Sequence, residues 1–559
     1  MSLAQLFEDL HLESCQPPDE RFAWLHRRSQ HTQHPLVQFE LSKTHCTLRI
    51  VAKQRRRKEL VPDRRCKSLN HERTLSAVTT GSIADECEKP EDPILMELKW
   101  EDVLGAHLQT ACGRPLSRRS VVPRRVYMLA LYACPPEGLL LEKQKHKDNQ
   151  PTKRSPRQWT FRFYGDEIDQ VAQLHHALNR WADPRKSISE DISDLILLKL
   201  DETSVGSLRK FRVLIDSKEG SGRSKYEQIV APMFQVANIE TTVDVVEDNI
   251  VRDIAKQLPL GQFECITIVG GDSFAHEFIQ GLMARTDWRQ AIRQPFGILP
   301  IDCGSNNGLS ASIAHHSHGC LNLENAAFAL IKGRPQDLDI TSVCNGNETR
   351  YSFLKLEWTP SNSNQATIPM HKTGILRDLR HSMSLRRQVT RKSPYSGRIW
   401  YLSQDADDHQ PTRYFQEHSD DEEEAEPALD LFTTELGFDK WVELTGPFRS
   451  AWVTNTSHAT PTAFVAPGAQ LDDGYTYLTF IDGTQPRSEV WRMLFSVESG
   501  RHLKRPAVQQ IGTRALKLEP ACTSDRLCVD GHTMEGPSLV AQVHRGLARI
   551  VALPRQRQR

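Results

Sequence analysis

The fold of this chain is decided by the stretch from Phe263 to Leu282, which reads Phe-Glu-Cys-Ile-Thr-Ile-Val-Gly-Gly-Asp-Ser-Phe-Ala-His-Glu-Phe-Ile-Gln-Gly-Leu. Its first part is a short apolar run rich in β-branched residues, from Cys265 to Val269, and it stops at the pair Gly270-Gly271. Beyond the glycines, apolar residues recur at helical spacing, at Phe274, Phe278, Ile279 and Leu282. This pattern predicts a buried strand, a tight turn and a helix.

The turn of this strand–turn–helix carries residue types that suit phosphate chemistry. A glycine pair after a buried strand lets a ligand approach the backbone, and a helix that begins there offers free N–H groups to an anion. Asp272 lies at the turn and Glu277 lies in the first turns of the helix. A carboxylate in such a place can hold Mg²⁺ or accept a proton from an attacking hydroxyl. Gly-Gly-Asp also occurs at strand-to-helix turns of many α/β proteins without a catalytic role. The stretch alone therefore does not decide between a catalytic turn and a purely structural one.

The composition excludes several classes of protein. The 559 residues give room for roughly three or four domains. Lys+Arg 71 balance Asp+Glu 71, so no global charge favours nucleic acid. We find no basic and apolar secretory signal, no apolar run near the roughly 20 residues of a spanning helix, and no metal-binding spacing among the cysteines. We therefore expect a cytoplasmic protein that contacts membranes peripherally and does not bind nucleic acid.

Residues 1–200 are expected to form a small β-rich N-terminal unit. The apolar patterns predict strands over 36–40, 47–52, 126–133 and 158–164, followed by an amphipathic helix over 166–181. Residues 53–92 and 144–156 are polar and charged, which is typical of long disordered loops. Strands closed by one helix resemble a pleckstrin-homology-like (PH-like) barrel. The basic cluster at 55–58, with Arg64 and Arg65, fits either an anionic lipid surface or a solvated loop.

The α/β lobe, residues 207–340, alternates strand and helix patterns. Strands are predicted over 211–215, 241–246, 265–269 and 295–300, with helices over 225–237 and 249–257 between them. This order predicts a mostly parallel sheet with helices on both faces. Ligands bind such sheets outside the carboxyl ends of the strands, where the turns at Gly220, Gly271 and Gly304 fall.

The second lobe, residues 341–553, is expected to be an antiparallel β-sandwich. Apolar strand patterns recur over 351–358, 397–402, 448–454, 464–467, 475–481 and 516–519. Residues 405–429, which contain the acidic run 420–424, predict a disordered insert. The predicted fold class is thus an α/β nucleotide-binding lobe and an antiparallel β-sandwich lobe, preceded by the PH-like unit.

Motifs in fixed order resemble those of lipid kinases, the family that includes sphingosine, ceramide and diacylglycerol kinases. The likeness is strongest to sphingosine kinases with an N-terminal extension. Residues 270–282 are similar to the signature GGDG-x-x-x-E-x-x-N-G-L, residues 285–300 to the segment that follows it in sphingosine kinases, and residues 304–309 to a phosphate turn. Further matches follow at 446–448, 466–467, 473–475, 500–502 and 529–531.

This resemblance implies ATP and Mg²⁺ bound between the two lobes and a lipid hydroxyl that attacks the γ-phosphoryl group. It implies Asp272 and Glu277 as catalytic residues, Asp272 and Asp530 as metal ligands, and Trp358 beside the substrate. The nucleotide-binding residues implied are Asp216, Gly220, Gly222, Gly270, Gly271, Ser273, Gly304, Ser305, Asn307, Arg377, Arg380 and Asp530.

The chain departs from the family pattern at several of these positions. Asp216-Ser217 replaces Asn-Pro and brings a negative charge close to the phosphates. Ser273 replaces glycine, and it would be strained by about 1 kcal/mol if the position needs a positive φ. Asn306 replaces glycine in the phosphate turn, and His532 replaces the glutamate of a D-G-E motif.

The acidic run that faces the amino-alcohol headgroup in sphingosine kinases is also missing. No carboxylate occurs between Trp358 and Asp378. A buried cationic headgroup without a counter-charge is unfavourable by several kcal/mol, which leaves the lipid open. A sphingoid base comes first because the overall likeness is to sphingosine kinases, with ceramide or diacylglycerol possible.

Two functions therefore remain open from the sequence. One is an ATP-dependent lipid kinase, at the membrane surface and as a monomer or homodimer. The other is a catalytically impaired pseudokinase that binds lipid or protein. A third interpretation lets Asn249, His276 or His532 take over part of the altered chemistry.

Overall fold

A computed structural model of the protein describes most of the chain after residue 207 and shorter parts before it. The described residues are 12–14, 36–42, 47–53, 94–112, 125–137, 151–164, 168–185, 208–218, 221–300, 307–359, 394–403, 411–418, 426–427, 429–433 and 440–555.

In its described residues the N-terminal unit contains two antiparallel sheets, one α-helix and a 3-10 turn (Trp100–Asp102). Its elements are β1 (Leu12–Ser14), β2 (Leu36–Ser42), β3 (Thr47–Lys53), β4 (Ile94–Lys99), β5 (Val103–Cys112), β6 (Arg125–Ala133), β7 (Arg157–Tyr164) and helix α1 (Ile168–Ala182). One sheet has the strand order β1-β7-β6-β5 and the other β2-β3-β4. The four predicted strands and the helix are confirmed, whereas β4 and β5 were not predicted. The PH-like barrel stays a prediction, and the basic cluster at 55–65 lies outside the described residues.

The α/β lobe alternates strands and helices as predicted. Its elements are β8 (Arg209–Asp216), α2 (Gly222–Lys225), a π-helical turn (Tyr226–Val230), α3 (Ala231–Val236), β9 (Ile239–Val246), α4 (Asp248–Lys256), β10 (Cys265–Val269), α5 (Asp272–Met283), α6 (Trp288–Ala291), β11 (Phe296–Leu299), α7 (Gly308–His316) and α8 (Leu323–Lys332). Strands β9, β8, β10 and β11 lie side by side and all run parallel.

Strand β10 is the centre of this sheet. All five of its residues are buried, because β8 and β11 flank it and helices cover both faces. Apolar side chains of β10 face two cores: Ile266 and Ile268 pack with Phe274 of α5, and Cys265 and Val269 pack on the other side. The continuous apolar run that predicted the strand therefore reflects burial on two faces.

The second lobe is built from antiparallel strands. Its elements are β12 (Arg334–Cys344), β13 (Thr349–Ser352), β14 (Lys355–Thr359), β15 (Gly397–Leu402), α9 (Tyr414–Glu417), α10 (Asp430–Thr433), β16 (Trp441–Thr445), β17 (Phe448–Thr454), β18 (His458–Thr460), β19 (Ala463–Phe464), β20 (Thr476–Asp482), α11 (Arg487–Val497), β21 (Gln509–Thr513), β22 (Ala515–Pro520), β23 (Arg526–Val529), β24 (His532–Met534) and β25 (Leu539–Ala552). A six-stranded sheet, β21-β20-β17-β14-β23-β24, shares one core with strands β15, β22 and β25 of the large sheet.

The long strand β25 joins the two lobes in a single ten-stranded sheet. Near its end Ile550 pairs with Phe296 of β11 in parallel, and along its length β25 pairs antiparallel with β12 and β22. The predicted boundary between residues 340 and 341 falls inside β12, so both lobes share that strand.

Part of the predicted acidic insert is ordered, which corrects the prediction of disorder over 405–429. Helix α9 lies within this range, and its Tyr414 is buried against Trp288 and His544. The acidic residues 420–424 lie outside the described residues. No helix in the described ranges is long and apolar enough to cross a membrane.

Candidate active site

Three helices of the α/β lobe begin at the same edge of the sheet. Helices α2, α5 and α7 each follow the carboxyl end of one of the neighbouring parallel strands β8, β10 and β11. Their N-terminal N–H groups therefore point to a common edge, where an anion is favoured. Gly222, a predicted nucleotide contact, is buried at the start of α2. The other predicted contacts Gly220, Gly304, Ser305, Arg377 and Arg380 lie outside the described residues.

The glycine pair forms the turn between β10 and α5. A Cβ atom on Gly270 would lie only 3.1 Å from Cδ1 of Phe274 and 3.3 Å from Cβ of Asp216, so the turn has little room for a side chain there. Gly271 is the N-cap residue of α5, and its backbone is extended, with φ -86° and ψ -178°. Buried Asp216 lies beside this turn, and its Oδ1 accepts a hydrogen bond from the Lys218 N–H at 2.9 Å. Asp216 thus lies at this edge, where its carboxylate holds the turn after β8, and its effect on a bound phosphate stays a prediction.

Asp272 connects the glycine turn to the next helix. Its Oδ2 accepts the Gly308 N–H at 2.8 Å and its Oδ1 accepts the Leu309 N–H at 3.1 Å, so this carboxylate caps helix α7 from outside. Burial raises the pKa of Asp272 to about 6, although these two N–H groups and the charge of Lys355 act against the rise. An ionised carboxylate has about four acceptor positions, which leaves two for a proton or another ligand.

Asp530 is buried on the opposite, second-lobe side of the site and is surrounded by donors. Its carboxylate accepts hydrogen bonds from the side chains of Ser352 and His276, at 2.8 and 3.1 Å, and from three consecutive N–H groups, those of residues 353–355. Burial alone would raise the pKa of Asp530, but the bond to His276 and the other donors outweigh it and hold this pKa below the ordinary value. Five donors meet about four acceptor positions, so Asp530 has no oxygen to spare for a metal ion. It fixes the turn between β13 and β14.

His276, Glu277 and His532 lie together between α5 and the turn that joins β23 to β24. The two imidazole rings stack with centroids 4.6 Å apart, and Oε1 of Glu277 is 3.6 Å from Nε2 of His532. The other carboxylate oxygen of Glu277 is 3.8 Å from Nε of Arg252. Burial lowers the pKa of His532, so its imidazole is neutral at neutral pH. Neutral His532 therefore offers one nitrogen lone pair where the family motif has a carboxylate.

The serine after Asp272 is accommodated without backbone strain. Ser273 lies in the first turn of α5 and is not among the described residues with positive φ, so the expected strain does not arise. Its Oγ is 3.2 Å from Nε2 of His532, which makes the two family departures direct neighbours. Asn307 is buried at the N-cap position of α7.

Lys355 was missed by the sequence analysis. Its ammonium donates to Glu357 at 2.9 Å, and its charge acts on both Asp272 and Asp530. Burial alone would lower the pKa of Lys355, but the charges of these three carboxylates outweigh it and raise the pKa. The sequence feature that could have indicated Lys355 is the pair Lys355 and Glu357, which lies on one face of an otherwise apolar strand pattern.

Trp358, the predicted substrate contact, lies in the core of the second lobe. It is 1% exposed, packs against Tyr395 and Phe448, and donates its Nε1–H to Asp525 at 2.9 Å. The residues that follow it, from 360 to 393, are outside the described part of the chain, as is the side chain of Asn249.

Two protein-family models match the chain. The diacylglycerol kinase catalytic domain matches residues 210–343, and the YegS C-terminal NAD kinase beta sandwich-like domain matches residues 442–552. The α/β lobe is thus similar to the catalytic domain of diacylglycerol kinases. The resemblance to lipid kinases that the motifs indicated is thereby confirmed.

Curated relatives are sphingosine kinases at low identity. Sphingosine kinase 2 of Arabidopsis thaliana is 24% identical over 58% of this chain and 67% of its own length. Sphingosine kinase 1 of Homo sapiens is 25% identical over 59% of this chain and 88% of its own length. Among solved structures, a putative diacylglycerol kinase from Bacillus anthracis superposes with a TM-score of 0.42 and 13% identity, over 62% of this chain and 98% of the other.

Proposed function

We propose that this protein is an ATP-dependent lipid kinase that phosphorylates the primary hydroxyl of a sphingoid base. The observation that carries the proposal is Asp272, a buried carboxylate with a pKa of about 6 where a helix begins at the edge of the parallel sheet. A general base needs a pKa near the working pH, and phosphoryl transfer otherwise asks mainly for positioning and charge neutralisation.

The residues at this edge fit a polyphosphate. The N-terminus of α5 opens there, Gly270 keeps the turn compact, and the ammonium of Lys355 supplies positive charge beside Asp272. When bound, ATP supplies the phosphoryl group. Asp272 would accept the proton of the lipid hydroxyl, Lys355 would neutralise developing negative charge, and Glu277 would orient the site from α5. The other nucleotide contacts proposed are those implied by the resemblance, including Gly220, Gly304, Ser305, Asn307, Arg377 and Arg380.

Asp530 does not fit Mg²⁺ in the way the family resemblance implies. Asp530 is saturated by five donors, and a hard cation bound there would have to displace several of them. We therefore assign Asp530 a structural role and derive no step from a metal ion at this residue.

The lipid is proposed from the relatives and not from a headgroup site. The Arabidopsis and human proteins carry the name sphingosine kinase, which places a sphingoid base first. Ceramide and diacylglycerol remain as alternatives because residues 359–377 contain no carboxylate for an amino headgroup. We further propose that the protein is cytoplasmic and meets its substrate by peripheral contact with membranes. A homodimer is also proposed, and analytical ultracentrifugation of the full chain tests it.

The test is lipid phosphorylation by the purified full chain with Mg-ATP and sphingosine, ceramide or diacylglycerol in mixed micelles. We expect labelled sphingosine phosphate with the wild-type chain and with Asp253→Asn, which changes an exposed aspartate on α4. Asp272→Asn should abolish the product while its thermal unfolding shows that it is folded. Product from Asp272→Asn at the wild-type rate would contradict the role of this residue.

The alternative is a pseudokinase that binds lipid or protein without turnover. One observation favours it: both oxygens of Asp272 are already engaged in capping α7. In that case no lipid would be phosphorylated and Mg-ATP would not shift the thermal unfolding of the chain. Binding of Mg-ATP with no product would limit the defect to catalysis.

A further inference from the structure

Two imidazoles and one carboxylate converge at the interface of the lobes. One ligand atom from each of His276, Glu277 and His532 lies within 4.8 Å of the other two. His276 and Glu277 come from α5 of the α/β lobe, whereas His532 begins β24 of the second lobe. Two histidine nitrogens with one carboxylate oxygen form a donor set that suits Zn²⁺ and related transition metals better than Mg²⁺.

The first of these ligands is held in place before any metal binds. His276 is 1% exposed, and its Nδ1 is hydrogen-bonded to Oδ2 of Asp530 at 3.1 Å. Asp530 is fixed in turn by Ser352 and the N–H groups of residues 353–355. An imidazole that bonds a buried carboxylate through one nitrogen presents its other nitrogen in a defined direction, which is the usual support of a metal-binding histidine. Asp530 is thus not a direct metal ligand in this site. It orients the ligand His276 through the hydrogen bond to Nδ1.

Glu277 can reach a common metal by a small movement, whereas the imidazole of His532, which now stacks on that of His276 with centroids 4.6 Å apart, has to turn so that both nitrogen lone pairs point to one ion. In a tetrahedral site with bonds of about 2.1 Å, ligand atoms lie about 3.4 Å apart. Glu277 is already 3.6 Å from Nε2 of His532, and its long side chain is only partly enclosed. The hydroxyl of Ser273, now 3.2 Å from the same nitrogen, would move aside when a metal takes its place.

We propose that His276, Glu277 and His532 form a binding site for a divalent transition metal of the Zn²⁺ type, which links helix α5 to the second lobe. This site goes beyond the proposed kinase function and does not depend on it, because metal binding needs neither lipid nor nucleotide. Three protein ligands leave a fourth position open to water or to a phosphate oxygen.

The experiment measures metal binding by the full chain after removal of metals with a chelator. Calorimetric titration with Zn²⁺ and the visible absorption of bound Co²⁺ report stoichiometry and ligand geometry. We expect one tightly bound ion per chain, a higher melting temperature with Zn²⁺, and no competition from Mg²⁺ at equal concentration. His532→Ala and Glu277→Gln should each weaken Zn²⁺ binding at least tenfold and remove the Co²⁺ bands.

The control is His318→Asn, which removes a histidine from another part of the α/β lobe. His318 has a φ of 54°, a conformation that asparagine tolerates, so this variant should fold and bind Zn²⁺ as the wild type does. His532→Glu should keep the fold, but the site should then prefer Mg²⁺ or Mn²⁺ to Zn²⁺ because carboxylate oxygens suit these ions. Zn²⁺ binding unchanged in both His532→Ala and Glu277→Gln would overturn the proposal, as would equal weakening by His318→Asn. If His532→Ala does not fold by circular dichroism, Glu277→Gln and His532→Glu decide the question.

Discussion

At the scale of single residues, the site contains two buried aspartates in contrasting surroundings. Asp272 accepts two backbone N–H groups, and burial raises its pKa to about 6. Asp530 accepts five hydrogen bonds, and its pKa lies below the ordinary value because these donors outweigh burial. The number of hydrogen-bond donors around each carboxylate accounts for this difference in pKa. Asp272 can exchange a proton near neutral pH, whereas Asp530 stays ionised and stabilises the fold.

The pKa of Asp272 predicts the pH dependence of the proposed reaction. The carboxylate accepts a proton only when it is ionised, and it is ionised above about pH 6. We expect kcat/KM to fall roughly tenfold for each unit of pH below that value and to level off above it. Initial rates measured with sphingosine from about pH 5 to pH 8, corrected for unfolding, check this expectation. A flat profile across this range would mean that Asp272 is not the base.

The hydrogen bonds of Asp530 predict a loss of stability when its charge is removed. Asp530→Asn replaces one acceptor oxygen with an NH₂ group that faces donors, and it leaves buried N–H groups unpaired. We expect the free energy of unfolding to fall by about 2–4 kcal/mol. Denaturant titration in the absence of divalent metals measures it, with Asp253→Asn as an exposed control that should change stability by less than about 0.5 kcal/mol. An Asp530→Asn chain as stable as the control would contradict the structural role.

At the scale of elements, helices α4 and α5 approach closely at Gly281. A Cβ atom added there would lie 2.3 Å from the Arg252 carbonyl oxygen and 2.6 Å from Cβ of Ala255, both on α4. Gly281 thus sets the spacing of the helix that carries Asp272, His276 and Glu277.

This contact predicts that Gly281→Ala separates the helices and reduces both stability and activity. We expect the free energy of unfolding to fall by about 1–3 kcal/mol because backbone would have to move. Gly468→Ala is the matched control, since a Cβ atom at Gly468 meets nothing within 4 Å. Thermal unfolding and the lipid kinase assay on both variants measure the effect. Equal behaviour of the two variants would show that α4 can shift without penalty.

The elements that the sequence predicted are those with strong local patterns. Strand β10 and helix α5 were predicted from an apolar run, two glycines and a helical repeat, all of which lie within residues 263–282. Strands β12 and β25 were missed because their identity depends on pairing with each other across the chain, as in Leu338 with Ala548. The partners of Asp530 were equally hidden, because residues 352–355 lie more than 170 positions away in the sequence. Motif order thus predicted the family and the position of Asp272, but not the roles of Asp530, Lys355 and His276.

At the scale of the whole molecule, the N-terminal unit and the α/β lobe share one hydrophobic core. Leu104 and Tyr132 of the N-terminal unit belong to the same buried cluster as Phe211 and Phe234 of the α/β lobe. Polar contacts add to this interface: the guanidinium of Arg154 pairs with Asp102 and lies 4.1 Å from the centre of the Phe328 ring. The unit predicted as a separate PH-like domain is therefore attached to the α/β lobe through an apolar interface.

Lys332 at this interface predicts a pH dependence of the attachment. Its ammonium donates to the carbonyl oxygens of Ala182 and Trp100, and burial lowers its pKa from 10.5 to about 7. The unfolded chain holds this proton up to about pH 10, whereas the folded chain releases it near pH 7. The free energy of unfolding should therefore rise with pH between these two values, and the contribution of Lys332 should be least favourable below pH 7.

We expect Lys332→Met to remove this dependence, because a methionine of similar length fills the space without a charge. Denaturant unfolding of the wild type and Lys332→Met at pH values from about 6.5 to 9.5 gives the difference in free energy at each pH. That difference should favour the variant most at the lowest pH and shrink as the pH rises. The exposed Lys256→Met, on α4, is the control and should show a constant difference. A difference for Lys332→Met that does not change with pH would mean that this lysine keeps its ordinary pKa and does not couple the attachment of the N-terminal unit to pH.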